Sequence, residues 1–176
     1  MRWFWVDRYT EFIRGKSATA VKAISLAEEH LHDHFPNTPI VPASLVIEGI
    51  AQTAGLLLCE YFNFQKNVIL AKITKATFHF DPLPGNILYF HVDIERLDDD
   101  GSVAKITSTC EGELHAEVKL MFAHIDEMDQ GRSVFDPESY LKLMHNMQVA
   151  RVGRDENGNH LVSLKMLEEQ INAAKG

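Results

Sequence analysis

The chain has 176 residues, 45% of them hydrophobic, a formal net charge of -8 and an isoelectric point near 5.5. That length suits one domain with an appendage and a real hydrophobic core, and the acidic balance excludes nucleic acid as a general partner. No apolar run reaches the ~20 residues that a bilayer span needs, which argues against a membrane.

The start, MRWFWVDRYTEFIRG, carries charges too early for the apolar core of a leader peptide, so the cytoplasm is the expected compartment. Residues 19–27 are expected to form a strand. The stretch EEHLHDHFP, residues 28–36, places His30, His32 and His34 at every second position. On a strand such side chains share a face and could converge on a zinc ion. Nothing in the chain specifies an outer shell for such a site, and no metal is expected.

Pro36, Pro39 and Pro42 then force an extended approach to ASLVIEGIAQTAGLLLCEYF, residues 43–62. Apolar or small residues occupy almost every face of that segment, as in a helix buried on most sides, with Pro42 placed to begin it. Gly49, Ala51, Ala54 and Gly55 add little volume and are expected to let other backbone approach closely. Residues 68–80 read as a strand ended by Asp81-Pro82-Leu83-Pro84-Gly85-Asn86. Leu88, Phe90, Val92 and Ile94, then Ala104, Ile106, Ser108 and Cys110, alternate with polar residues on either side of the turn at 98–101. A third alternating run is Leu114, Ala116, Val118, Leu120 and Phe122. The expected fold is α+β, about four antiparallel strands wrapped around one long helix.

From 127 the composition changes. Asp136-Pro137-Glu138 caps a short amphipathic helix to about 149, residues 155–159 are a loop, and Leu164, Leu167 and Ile171 stripe a final helix. Residues 1–126 are thus expected to be one domain and 127–176 a helical extension. Cys59 and Cys110 lack metal or disulfide spacing and read as packed thiols.

Glu48 is the anomaly of the long helix. Its neighbours offer no cation, and a carboxylate buried without one tends to hold its proton, as a general acid must. The alternative is that Glu48 shares a narrow exposed strip with Gln52, four residues on. His34, where an extended segment meets the proline-stiffened loop, supplies the other half of a possible acid–base pair near the helix N-terminus.

The sequence H-F-P-x-x-P-I-x-P, followed by L-x-x-E-x-x-A-Q-x-x-G, resembles the FabZ/FabA-type 3-hydroxyacyl-[acyl-carrier-protein] dehydratases. The resemblance runs from about residue 6 to 125 and takes in VDR at 6–8, PGN at 84–86 and AEVKLMFA in the last strand. It implies a hot-dog fold, a long central helix wrapped by an antiparallel sheet. It also implies dehydration of acyl carrier protein thioesters in fatty acid or related lipid biosynthesis, with no cofactor. In a homodimer, and in any trimer of dimers, His34 would act as base against Glu48 of the partner subunit. The amide of Ala43 would hold the thioester carbonyl, Gln52 would orient Glu48, and Gly55 would admit the wall of the acyl tunnel. Ala43-Ser44 replaces the family's Pro-Gly, and Asn37 replaces a common Gly. Some of Arg2, Arg8, Arg14, Lys16, Lys22, Lys72 and Lys75 are expected to meet the acidic carrier protein. The rival readings are a hot-dog thioesterase and a non-catalytic acyl-binding or assembly module.

Overall fold

Helix α2, Ala43–Tyr61, sets the architecture, because a nineteen-residue helix with so few polar positions must be enclosed to persist in water. In the computed structural model, which describes residues 4–125, 137–162 and 169, it is enclosed by a seven-stranded sheet. The helix is long and apolar enough to cross a membrane by composition alone, yet most of it is buried in the protein core.

The strands are β1 (Arg8–Ile13), β2 (Ser17–Ala23), β3 (Asn67–Phe78), β4 (Ile87–Leu97), β5 (Gly101–Cys110), β6 (Glu113–Ile125) and β7 (Gly153–Arg154). Their order across the sheet is β3-β6-β5-β4-β2-β1-β7. All neighbours are antiparallel except β1 and β7. Leu88, Phe90 and Val92 of β4, Ala104 and Ile106 of β5, and Val118 and Leu120 of β6 project onto Ile50, Ala54 and Leu57 of α2 as one core. This is the hot-dog arrangement, with β1 and β7 added to the five strands that the sequence indicated.

Strand β1 escapes the alternation test because it is bulged. Its register shifts between Tyr9 and Glu11, so its two fully buried residues, Tyr9 and Phe12, lie three apart rather than two. A second irregularity alters β6. Thr109 pairs with Leu114 and Ser108 with Ala116, which leaves His115 as the extra residue; His115 is fully buried and Leu114 is 43% exposed. The expected inward run from Leu114 therefore begins at Ala116.

Residues 30–33 are helical, not extended: His30–Asp33 form the short helix α1, with Leu31 as its buried anchor. Pro42 is the N-cap of α2 rather than its first residue. At the other end, Arg14 reaches the fully buried Glu60 carboxylate, Glu60 O at 3.0 Å, Tyr61 O at 2.6 Å and Asn63 Oδ1 at 2.9 Å. A cation thus satisfies the last carbonyls of the helix.

Beyond the sheet, α3 (Pro137–Asn146) and α4 (Val149–Val152) return the chain to β1, where Tyr9 N donates to Met147 O at 2.8 Å. The loop at 155–159 is closed by Asp155, which accepts from Asn157 N at 2.9 Å and Asn159 N at 2.7 Å. Asp136 and the striped helix at 164–171 lie outside the described residues.

Candidate active site

Glu48 lies early in α2, and Gln52 follows one turn later on the same face. Gln52 Nε2 donates to Glu48 Oε1 at 2.8 Å, while Gln52 Oε1 accepts the Trp5 backbone N–H at 2.8 Å. Two different partners at the two ends of the amide define which way it points. Glu48 is exposed in the single chain, as in the alternative that set it on one strip with Gln52, and is not the buried carboxylate of the other reading. It looks outward because it stands at the polar mouth of a cavity rather than in the core.

That cavity has a volume of about 420 Å³ and is bounded along α2 by Glu48, Ala51, Gln52, Gly55, Leu56 and Cys59. Those positions form one helical stripe. The opposite walls include Val6 and Tyr9 from the N-terminal segment, Val68 and Leu70 from β3, and Tyr140, Leu143 and Met147 from α3 and the turn after it. A cavity of this size, mostly apolar and with its charged lining residue, Glu48, at one end, suits a small-molecule chain rather than an ion.

The small residues of α2 divide by function. A Cβ at Gly49 would lie 2.8 Å from the Phe90 ring and 2.9 Å from Trp5 O, so close approach requires glycine there. A Cβ at Gly55 would meet nothing within 4 Å. Gly55 therefore leaves cavity space open, with no wall of its own chain close to it among the described residues.

His34 follows α1 and is half-buried. Its ring stacks on Phe35 with centroids 4.4 Å apart, and its Nδ1 is buried with no hydrogen-bond partner among the described residues. The loop around it is braced. Ile40 N donates to His34 O at 3.1 Å, Phe35 and Thr38 exchange backbone bonds of 3.0 and 2.9 Å, and Val41 N reaches Pro82 O at 3.2 Å. Neither His34 nor Ala43 lines the cavity of its own chain. Ala43 is exposed at the start of α2, where amides have no intrahelical acceptor.

The strand geometry expected for the histidine trio is replaced by a helical turn, on which residues two apart point about 200° from each other. His30 packs edge-on against Trp5 at 4.9 Å, and His32 Nε2 lies 3.1 Å from Leu26 O. Burial lowers the His30 pKa, with Glu28 opposing that shift.

Of the basic residues expected to meet an acidic partner, Arg14 is committed to the end of α2. Lys22 is held by Glu28 at 2.9 Å and lies over the Trp5 ring. Lys16, Lys72 and Lys75 are exposed, and Arg2 lies outside the described residues.

Sequence reasoning missed Trp5, Tyr9 and the contribution of α3. Trp5 is 5% exposed and its amide orients Gln52. Tyr9 donates its hydroxyl to Thr53 O at 3.2 Å, and burial pushes its pKa far upward, so it remains a neutral donor. The bulge in β1 hid Tyr9 from the alternation, and Trp5 lies before that strand.

Residues 3–123 match the FabA-like domain family. The 3-hydroxyacyl-[acyl-carrier-protein] dehydratase FabZ of Listeria welshimeri is 34% identical over 122 residues, covering 69% of this chain and 85% of that one. The FabZ of Clostridium botulinum is 32% identical over 118 residues, covering 66% and 82%. Among solved structures, smu.793 from Streptococcus mutans bound to acetyl CoA aligns with a TM-score of 0.59 at 11% identity, over 73% of this chain and 96% of that one. A hypothetical thioesterase from Streptococcus pneumoniae with coenzyme A gives 0.56 at 7% identity, over 69% and 88%. These two likenesses establish the fold alone. The length and identity of the sequence matches go further: the chain belongs to the FabA-like family and is a FabZ-type hot-dog dehydratase.

Proposed function

We propose that the chain removes water from 3-hydroxyacyl thioesters carried by acyl carrier protein, giving trans-2-enoyl thioesters in fatty acid or related lipid biosynthesis. Residues 1–126 form the catalytic domain in this reading and 127–176 an extension. The observation that carries it is the apolar cavity with the Gln52–Glu48 pair at its mouth, in a chain of this family.

The reaction needs a base at C2 and an acid at the C3 hydroxyl. Neutral His34 takes the C2 proton, and the electron pair it leaves forms the C2–C3 double bond as the C3–O bond breaks. Glu48 of the partner subunit protonates the departing hydroxide to water. The proton on the imidazole then returns to the carboxylate, which restores both groups. Charge that develops on the thioester oxygen is met by the Ala43 amide at the α2 N-terminus.

Two features support a shared site. The orphaned His34 Nδ1 lacks a partner that a second copy could supply. Strand β3 ends the sheet with an open edge and exposes Ile69, Leu70 and Ile73, an edge suited to pairing with its own copy.

Incubating the protein with crotonyl or 3-hydroxybutyryl thioesters of acyl carrier protein tests the proposal. Reversible hydration, lost in His34→Ala and in Glu48→Gln, is the expected result. Release of free thiol instead would indicate a thioesterase, and binding without turnover a non-catalytic module.

A further inference from the structure

We infer that α3, which lies beyond the family match, closes the far end of the acyl cavity and sets the longest chain the site accepts. The inference rests on the dehydratase reading for the identity of the occupant, an acyl chain entering past Glu48.

The cavity is a groove along one stripe of α2, from Glu48, which is exposed, to Cys59, which is buried. The eleven steps from Glu48 to Cys59 span about 16 Å at 1.5 Å per residue. An extended hydrocarbon advances about 1.25 Å per carbon for a bond of 1.52 Å, so the groove takes roughly a dozen carbons beyond the reacting C3. Volume gives the same order: if a cavity of about 150 Å³ holds the six carbons of benzene, 420 Å³ holds roughly 17 carbons.

The end wall is built from outside the matched residues. Tyr140 and Met147 are 7% and 5% exposed, and Leu143 faces the cavity between them along the chain. The wall is anchored. The Tyr140 hydroxyl meets Cys59 Sγ at 3.5 Å, its ring lies 4.7 Å from that of Phe64, and Met147 O is tied to Tyr9 N. Burial raises the Cys59 pKa, which keeps the thiol neutral, and an uncharged wall suits a methyl terminus. The family match ends at residue 123, whereas α3 begins at Pro137. Members consisting only of the matched domain must bound their chains differently.

Trans-2-enoyl pantetheine thioesters of graded length, from about four to sixteen carbons, test this in the full chain. Each methylene forced out of the cavity should cost about fourfold in kcat/KM. Leu143→Trp, which fills two or three methylene positions at the end, should lower the ratio of fourteen-carbon to four-carbon turnover by about tenfold or more. Leu143→Ala should move the cut-off to longer chains. Gly55→Leu, placed in open space halfway along, should bring the loss in at intermediate lengths. Ratios within twofold of the parent for both Leu143 variants, with unchanged circular dichroism and melting temperature, would overturn the inference.

If the parent hydrates no thioester of any length, the dehydratase reading fails separately. The same ratios are then read from calorimetric Kd values of saturated acyl pantetheine thioesters. Length selection that follows Leu143 upholds the end wall, and selection indifferent to it rejects it.

Discussion

Gln52 holds Glu48 through a 2.8 Å hydrogen bond from Nε2, and is itself aimed by the 2.8 Å bond from Trp5 N–H to its Oε1. The carboxylate at the cavity mouth is thus oriented by the N-terminal segment, 43 positions away in sequence. A hydrogen bond to the neutral carboxylic acid that the reaction requires contributes about 0.5–1.5 kcal/mol.

Gln52→Leu should accordingly lower kcat by about 2- to 13-fold, with little change in KM. Gln52→Glu should be as damaging, since it sets two carboxyl groups side by side. Steady-state kinetics with crotonyl thioester check both, and an unimpaired Gln52→Leu would remove the orienting role.

The Arg14–Glu60 pair makes a stability prediction independent of catalysis. Glu60 is fully buried, so Arg14→Met removes the guanidinium set against its carboxylate and should cost about 3–5 kcal/mol. The double variant Arg14→Met/Glu60→Leu should recover part of that loss. Urea denaturation of the three proteins measures the coupling directly.

The two helix glycines should respond in opposite directions. Gly49→Ala drives a methyl group into Phe90 and Trp5 O and should destabilise by about 1–3 kcal/mol. Gly55→Ala enters open space and should stabilise by about 0.5–1 kcal/mol through helix propensity. Thermal melts of both variants distinguish a packing glycine from one that preserves a cavity.

His115 predicts how stability varies with acidity. Burial lowers its pKa, Asp81 partly opposes that and His79 reinforces it; Nδ1 meets Ser108 Oγ at 3.0 Å. The unfolded histidine, with a pKa of about 6.5, takes up its proton before the folded one does. Stability should be full above that value and decline as pH falls toward the lowered folded pKa. His30 and His124 shift in the same direction, again chiefly through burial. His115→Asn, which keeps a polar group near Ser108 and does not titrate, should make the decline shallower without abolishing it. Urea midpoints between pH 7.5 and 5 would show it.

The open edge of β3 makes a prediction about assembly. Ile73 is 44% exposed there, so Ile73→Lys should weaken pairing between copies and lower activity together with it, because the proposed site needs both subunits. Light scattering and turnover measured over the same dilution series should fall in parallel.

What could be read in the residues was whatever repeats with a period. The apolar run of α2 and the alternation in β4 and β5 express burial directly, so the wrapped-helix fold was visible, and the H-F-P and L-x-x-E-x-x-A-Q spacings singled out His34, Glu48 and Gln52. The bulges concealed β1 and turned His115 inward, since one extra residue reverses which side chains face the core. The histidine trio fails as a strand face because α1 forms around the buried Leu31, a choice made by packing rather than by spacing. Only the tertiary structure could bring Trp5 to Gln52 and Tyr140 to Cys59. These contacts join segments far apart along the chain, and no local pattern encodes a partner that distant.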